Sequence, residues 1–173
     1  MTIASNNLIA AITGGVWYKT SVPSGTPSDR LYTSPASIMT AYIIDELELM
    51  SDPSDEDDWP LYISSMPDEI SNCGTVYDTS GLKDGRLMVG PIIQHQGIQL
   101  RIRANNYEIG NAKIEEVAVQ LDAIKGSTVV LGERTYKIYN ASRTSNILFL
   151  RVEPENRRSV FVINYLMTVK ELV

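Results

Sequence analysis

Residues 97–126, GIQLRIRANNYEIGNAKIEEVAVQLDAIKG, join a strand pattern to a helix pattern. Aliphatic and polar residues alternate over residues 98–103, and this period of two predicts a half-buried strand. After it, apolar residues recur at three- and four-residue spacing, which predicts an amphipathic helix. Asn105 or Asn106 can cap the start of this helix, and Gly126 can adopt the left-handed turn at its end. Because the connection is short, we expect the helix to pack onto its own sheet and to form the centre of the fold.

The composition indicates an intracellular, soluble, mildly acidic single domain. A net charge of -6 and a pI near 4.8 argue against a free nucleic-acid binder, which is normally basic. A lone cysteine, Cys73, excludes an intramolecular disulfide framework. Residues 1–12 lack the basic start of a signal peptide, and no stretch approaches the roughly 18 apolar residues of a membrane span.

Residues 1–33 are predicted to form an N-terminal arm or extended hairpin, and residues 34–173 a single domain. The arm contains SVPSGTPSD, which is rich in Ser, Pro and Gly. This segment has too few apolar side chains to bury the surface that folding requires, so we expect it to be ordered only when a neighbour holds it. Val16, Trp17 and Tyr18 precede this stretch, and we expect them to dock on a neighbouring molecule.

The domain is predicted to be α+β, with a twisted, mainly antiparallel sheet flanked by two helices. Ser34 as N-cap and Pro35 at the first helical position begin a helix that runs to about Met50. Turn signals at residues 132–133 and 153–158 predict two hairpins near the C-terminus. Successive strands of this kind favour an antiparallel sheet. The predicted strands besides the central one cover residues 60–65, 74–78, 128–131, 135–139, 147–152 and 159–169.

The carboxylates that follow the first helix are the most concentrated charge in the chain. Residues 51–60, SDPSDEDDWP, lack the glycine turn and the terminal glutamate of a calcium loop. We interpret them as a solvated acidic loop and expect no metal site.

No catalytic constellation is evident, so we expect neither an enzyme nor a cofactor. Residues 78–81, DTSG, resemble the Asp-Thr-Gly of aspartic proteases, but one extra residue precedes the glycine and no second copy supplies the partner carboxylate. A strand-end turn is the simpler interpretation, and an aspartic-protease-like enzyme is a distant alternative. His95 is the single histidine, and Cys73 has the setting of a small buried hydrophobe. The glycines between 74 and 97 match neither phosphate-loop fingerprint.

The arginines suggest an interaction surface. Arg101 and Arg103 fall on the polar side of the central strand, Arg86 lies in a glycine-rich loop, and Arg157 and Arg158 lie in the last hairpin turn. Each position is compatible with a solvated face. Two arginines two residues apart on one sheet face also suit pairing with a carboxylate-rich surface of a neighbour.

Several segments, in this order and spacing, resemble the minor capsid or tail terminator (tail completion) proteins of long-tailed phages. The resemblance spans residues 34–169 and leaves the arm outside. The segments are WPLYISSMPDE, TVYDTSGLKDGR, HQGIQLRIRA, a helix ending in LDAI, and NRRSVFVIN.

This resemblance implies a small fold whose copies close into a ring, a hexamer, at the head-proximal end of the tail tube. The ring would stop tube polymerisation, meet the head–tail connector and let DNA pass through its lumen without specific binding. It would be assembled in the host cytoplasm and become part of the virion neck, with no membrane involved. A head-completion protein, the connector stopper of the neck, is the alternative.

The family's shared features serve as fold or interface positions, because the family has no active site. They correspond to Asp78, Gly81, Gly85, Arg86, Gly97, Gln99, Arg101, Arg103, Arg157 and Arg158. The expected partners of the chain are identical copies, the tail tube protein and the connector. The candidate interface residues are Arg86, Arg101, Arg103, Arg157, Arg158, Asp55, Asp57 and Asp58.

Overall fold

The computed structural model describes residues 33–55, 59–83 and 94–172. The arm expected over residues 1–33 therefore lies outside the described residues, apart from Thr33, whose hydroxyl is 2.7 Å from the Tyr136 hydroxyl. Two α-helices and seven strands make up the described fold. They are α1 Pro35–Ala41, β1 Leu61–Ile63, β2 Cys73–Lys83, β3 Gln94–Ala104, α2 Tyr107–Asp122, β4 Ser127–Leu131, β5 Arg134–Arg143, β6 Leu148–Val152 and β7 Ser159–Leu172.

All seven strands belong to one mixed, curled sheet with the order β1-β2-β3-β7-β5-β4. The β1–β2 pair is parallel, and the other described pairs are antiparallel. Along its outer side β7 pairs first with β6, over residues 159–162, and then with β5, over residues 165–172. The predicted α+β class with a mainly antiparallel sheet is confirmed.

The central strand and helix form as their periods predict. Ile98, Leu100 and Ile102 of β3 are fully buried on the side of the sheet that α2 covers. The side chain of Asn106 caps α2 by accepting a hydrogen bond from the backbone N–H of Glu108 at 2.8 Å. The core extends from there across the sheet, and α1 packs against the same core as α2. Its helical and β7 members include Ala36, Ile38, Met39, Ile114, Val117, Leu121, Phe161, Ile163 and Met167.

Both helices are shorter than the apolar spacing predicts. α2 ends at Asp122, and Gly126 has the expected positive φ of 79° but precedes β4, where its N–H donates to the carbonyl of Tyr139. α1 passes into a π-helical turn, Tyr42–Glu46, instead of continuing to Met50. Glu48 then has a φ of 50°, which no α-helix can contain, so the chain turns away there.

The strand-end turn expected at residues 78–81 is wrong, because β2 continues through this segment to Lys83. Pairing with β3 persists from Cys73 to Lys83, and the predicted turn is replaced by an irregularity between Thr79 and Leu82. At Gly81 a Cβ atom would lie 2.1 Å from the carbonyl oxygen of His95, so only glycine permits this approach of the two strands.

Candidate interaction surfaces

Two of the candidate interface arginines lie inside the subunit. Arg103 is 1% exposed and Arg158 is 4% exposed. Both contact Glu153, with 3.7 Å from Arg103 Nη1 to Oε1 and 2.8 Å from Arg158 Nε to Oε2. Buried guanidinium groups need such a carboxylate because an unpaired charge is strongly destabilising. The expectation that Arg103 and Arg158 lie on an exposed face is therefore wrong, and neither is available to a neighbouring copy.

The segment between β1 and β2 covers these arginines. Arg103 donates to the carbonyl oxygens of Pro67 and Ile70, and Arg158 donates to that of Asp68 at 2.5 Å. The end of the polar face of β3 that carries Arg103 is thereby buried. Each guanidinium group connects the covering segment to the hairpin that carries Glu153.

Cys73 lies beside this cluster on β2, where it pairs in register with Arg103. Burial raises the pKa of its thiol, although the charge of Arg103 acts in the opposite direction. The side chain is fully buried, as the sequence predicted for a small hydrophobe. A thiol that is buried and protonated is a poor nucleophile.

Arg101 lies on the same sheet face as Arg103, beyond the covering segment, and is half-buried. Its guanidinium carbon lies 4.7 Å from the centre of the Tyr77 ring, and its Nε donates to Gln99 at 2.7 Å. Gln99 in turn donates to Asn164 of β7 at 2.8 Å. These contacts hold Arg101 flat on the sheet, with part of the side chain accessible.

A second surface combines apolar and acidic residues next to the π-helical turn. Ile44, Leu49 and Trp59 line a groove with a volume of about 460 Å³. The rim of the groove carries the exposed carboxylates of Glu48, Asp52 and Asp55. Hydrogen bonds from the side chain and the backbone N–H of Ser54 lower the pKa of Asp52. None of the three forms an ion pair with a described residue. We call this surface the acidic groove.

A third surface lies at the opposite side of the sheet, on β6. All five residues of this strand are exposed, and β7 is its only described strand partner. Arg151 in β6 and Arg157 in the turn that follows are exposed and form no ion pair within the described part of the chain. Arg157 has a φ of 53° and follows the turn residues 154–156 of the hairpin.

Asp78 and His95, the residues considered for catalysis, form hydrogen bonds within the fold. The Asp78 carboxylate accepts a hydrogen bond of 2.8 Å from the N–H of Ala36, at the start of α1. His95 Nδ1 lies 2.7 Å from the Thr168 hydroxyl. Among residues 33–55, 59–83 and 94–172, no group of His, Cys, Asp and Glu could hold a metal ion. Within the same ranges, no helix is long and apolar enough to cross a membrane.

The candidate interface residues thus fall into three groups: buried, accessible and outside the described residues. Arg101, Arg157 and Asp55 are accessible in different parts of the molecule. Arg86, Asp57 and Asp58 lie outside the described residues. Sequence reasoning predicted strand β6 but missed its exposure, and it missed the role of Glu153. Neither carries a local signal, because LFLRV, with four apolar residues in five, is a pattern typical of a buried strand.

Comparison with known families adds an independent observation. A family model described as "Bacteriophage tail terminator protein" matches residues 43–171. This span contains α2, β1 to β6 and all of β7 except Leu172, and it confirms the resemblance seen in the sequence segments. No curated protein matches the chain.

Proposed function

The chain belongs to the bacteriophage tail terminator family, a family of structural proteins of the phage tail, and from this premise we propose that it caps the head-proximal end of the tail tube. Copies of the chain close into a ring, a hexamer, that stops further addition of the tube protein. The opposite side of the ring meets the head–tail connector. DNA passes through the lumen without sequence-specific contacts. The protein is assembled in the host cytoplasm and takes its place in the virion neck.

The match over residues 43–171 is the observation that carries this proposal. The chemistry of the described residues agrees with it, since Asp78 and His95 have structural partners and Cys73 is buried. A net charge of -6 also suits a channel through which DNA must slide without adhering. Arg101, Arg157 and Asp55 are the candidate interface residues that stay accessible, and we retain them as contacts between copies.

Native mass spectrometry and negative-stain microscopy of the purified full chain test ring formation. The expected result is a closed oligomer with a central opening. A chain that is monomeric both alone and on isolated tails would contradict the proposal.

Antibody labelling of isolated tails and isolated heads tests the position of the ring. We expect the antibody to label one end of isolated tails. In whole virions, the labelled end of the tail should be the end next to the head. Label on tail-less heads would instead indicate a head-completion protein.

A further inference from the structure

Strand β6 exposes apolar side chains on both of its faces. Leu148 is 55% exposed, Leu150 44% and Val152 48%. Phe149, on the side of α2, packs edge-on against Tyr107 with 5.2 Å between ring centres, and both rings remain partly exposed. We call these five residues the β6 patch.

An exposed apolar edge strand such as β6 is unusual in a monomeric protein. Natural sheets protect their edge strands with proline, lysine or a covering segment, because open apolar edges associate with other chains. Arg151 is the only charge within β6, and no described segment covers the strand. Removal of this apolar surface from water would stabilise a complex with a partner surface. A partner surface is therefore expected.

The charges around the two exposed surfaces are complementary. The β6 patch carries Arg151 and Arg157 at its border, and the acidic groove carries Glu48, Asp52 and Asp55 at its rim. Each surface also has an apolar centre. Opposite charges around matched apolar centres favour one orientation of docking and exclude like-charged alternatives.

The two surfaces lie too far apart to meet within one chain. The groove adjoins β1 through the bridge between Ser51 and Pro60, and β2, β3 and β7 separate β1 from β6. With strands about 4.8 Å apart, β1 and β6 are separated by about 19 Å along the sheet. A β6 patch that meets the groove must therefore belong to another molecule.

We propose that the β6 patch of one copy docks in the acidic groove of the next copy. The proposal rests on the proposed function, since it names the contact that would build the ring. The contact is heterologous, because two different surfaces meet, and a heterologous contact repeated by rotation closes into a ring. It is made mainly by side chains, because the irregularity between Phe149 and Arg151 interrupts the strand edge on which a continuous ladder would form.

Charge substitutions in the patch test this contact. Leu148→Asp combined with Leu150→Asp introduces two carboxylates that face the acidic rim. We expect the oligomer seen by native mass spectrometry to be lost, or to need at least about tenfold more protein, a change of about 1.4 kcal/mol. Val119→Asp is the matched control, because Val119 is 60% exposed on α2, outside both surfaces. Far-UV circular dichroism and the thermal midpoint verify that each variant is folded.

A mixing experiment distinguishes a heterologous contact from a symmetric one. The variant Leu148→Asp/Leu150→Asp keeps an intact groove, and the variant Glu48→Lys/Asp55→Lys keeps an intact patch. Each alone should be monomeric, whereas the two variants should associate in an equimolar mixture, because the intact patch of one meets the intact groove of the other. Failure of the mixture to pair would overturn the proposal, as would a patch variant that assembles like Val119→Asp.

These results separate the present inference from the proposed function. If the unmodified chain forms rings and the patch variant also forms them, the inference fails and the proposed function stands. If the unmodified chain is monomeric both alone and on tails, both fail. If the patch variant forms rings but no longer binds tails, the β6 patch contacts another tail protein and the inference is overturned.

Discussion

At the scale of single residues, Glu153 controls whether two guanidinium groups can stay inside the protein. It is the described carboxylate that contacts both Arg103 and Arg158, and its own side chain is 17% exposed. Glu153→Gln would leave both positive charges buried without a counter-ion. We expect the free energy of unfolding to fall by about 3 kcal/mol, measured by urea denaturation.

Glu155→Gln is the control for this substitution, because Glu155 is exposed two residues away in the same turn. Its effect should stay within about 0.5 kcal/mol. Equal stability of the two variants would show that the Arg103 and Arg158 charges need no carboxylate to remain buried.

Cys73 provides a second test at this scale. Its thiol is buried and its pKa is raised by that burial, so the thiolate needed for reaction is scarce in the folded state. The native protein should give no reaction with a chromogenic disulfide reagent at pH 8. In urea, one thiol per chain should react, since the chain has a single cysteine. Rapid reaction under native conditions would mean that the segment between β1 and β2 opens readily.

At the scale of elements, the contact of α2 with the sheet depends on Gly110. A Cβ atom at this position would lie 2.6 Å from Cε2 of Phe161 and 3.0 Å from the Cβ of Ala104. Phe161 is fully buried and packs against the rings of Tyr107 and Phe149. Gly110→Ala should therefore cost about 1–3 kcal/mol of packing energy, although alanine is the better helix former.

Thermal unfolding monitored by circular dichroism measures the effect of Gly110→Ala. Gln120→Ala, at an exposed position of the same helix, serves as the control and should leave the midpoint nearly unchanged. A Gly110→Ala variant with a higher midpoint would indicate that α2 can move away from β7 at little cost.

The start of α1 is also determined by a distant element. Ser34 caps the N–H of Ser37 locally, while Asp78 of β2 accepts from the N–H of Ala36. Removal of a carboxylate at this end of the helix loses both a hydrogen bond and an interaction with the helix dipole. Asp78→Ala should lower the unfolding free energy by about 1 kcal/mol, and Asp78→Asn, which keeps an acceptor, by less.

Asp68→Ala is a suitable comparison for Asp78→Ala, because Asp68 is exposed and its contact with Arg158 uses the backbone carbonyl. A chemical denaturation series of the three variants measures the differences. If Asp78→Ala and Asp68→Ala unfold at the same denaturant concentration, Asp78 does not stabilise α1.

At the scale of the whole molecule, the described residues contain a continuous core between the two helices and the sheet. We therefore expect a chain that lacks residues 1–32 to unfold cooperatively, with a thermal midpoint close to that of the full chain. Differential scanning calorimetry of both chains provides the comparison. Loss of the cooperative transition in the shorter chain would show that the N-terminal residues belong to the domain.

Much of the fold could be predicted because its elements carry local signals. The alternation over residues 98–103, the asparagine cap at 106 and the turn at 132–133 all act through neighbouring residues, and each element forms. The errors arose where a distant segment decides the outcome. β2 continues through Asp78 because β3 pairs with it, and that pairing overrides the local turn preference of DTSG.

The candidate surface was less predictable than the fold. Alternation placed Arg101 and Arg103 on one face of β3 correctly, as their pairing with Thr75 and Cys73 of β2 shows. It could not show that the segment between β1 and β2 covers Arg103 and leaves Arg101 partly accessible. The alternation pattern also could not show that β6 is exposed, because that exposure depends on which strands lie beside β6.

The amino-acid sequence by itself determined the periods, the caps and the class of this protein, together with its membership of a phage tail family. These properties depend on residues a few positions apart, or on a pattern that extends along the chain. Only the tertiary structure decided which charges are buried with Glu153 and which apolar strand is left uncovered. Burial depends on contacts between segments that are far apart in the sequence, and a local pattern of residues does not show which segments make contact.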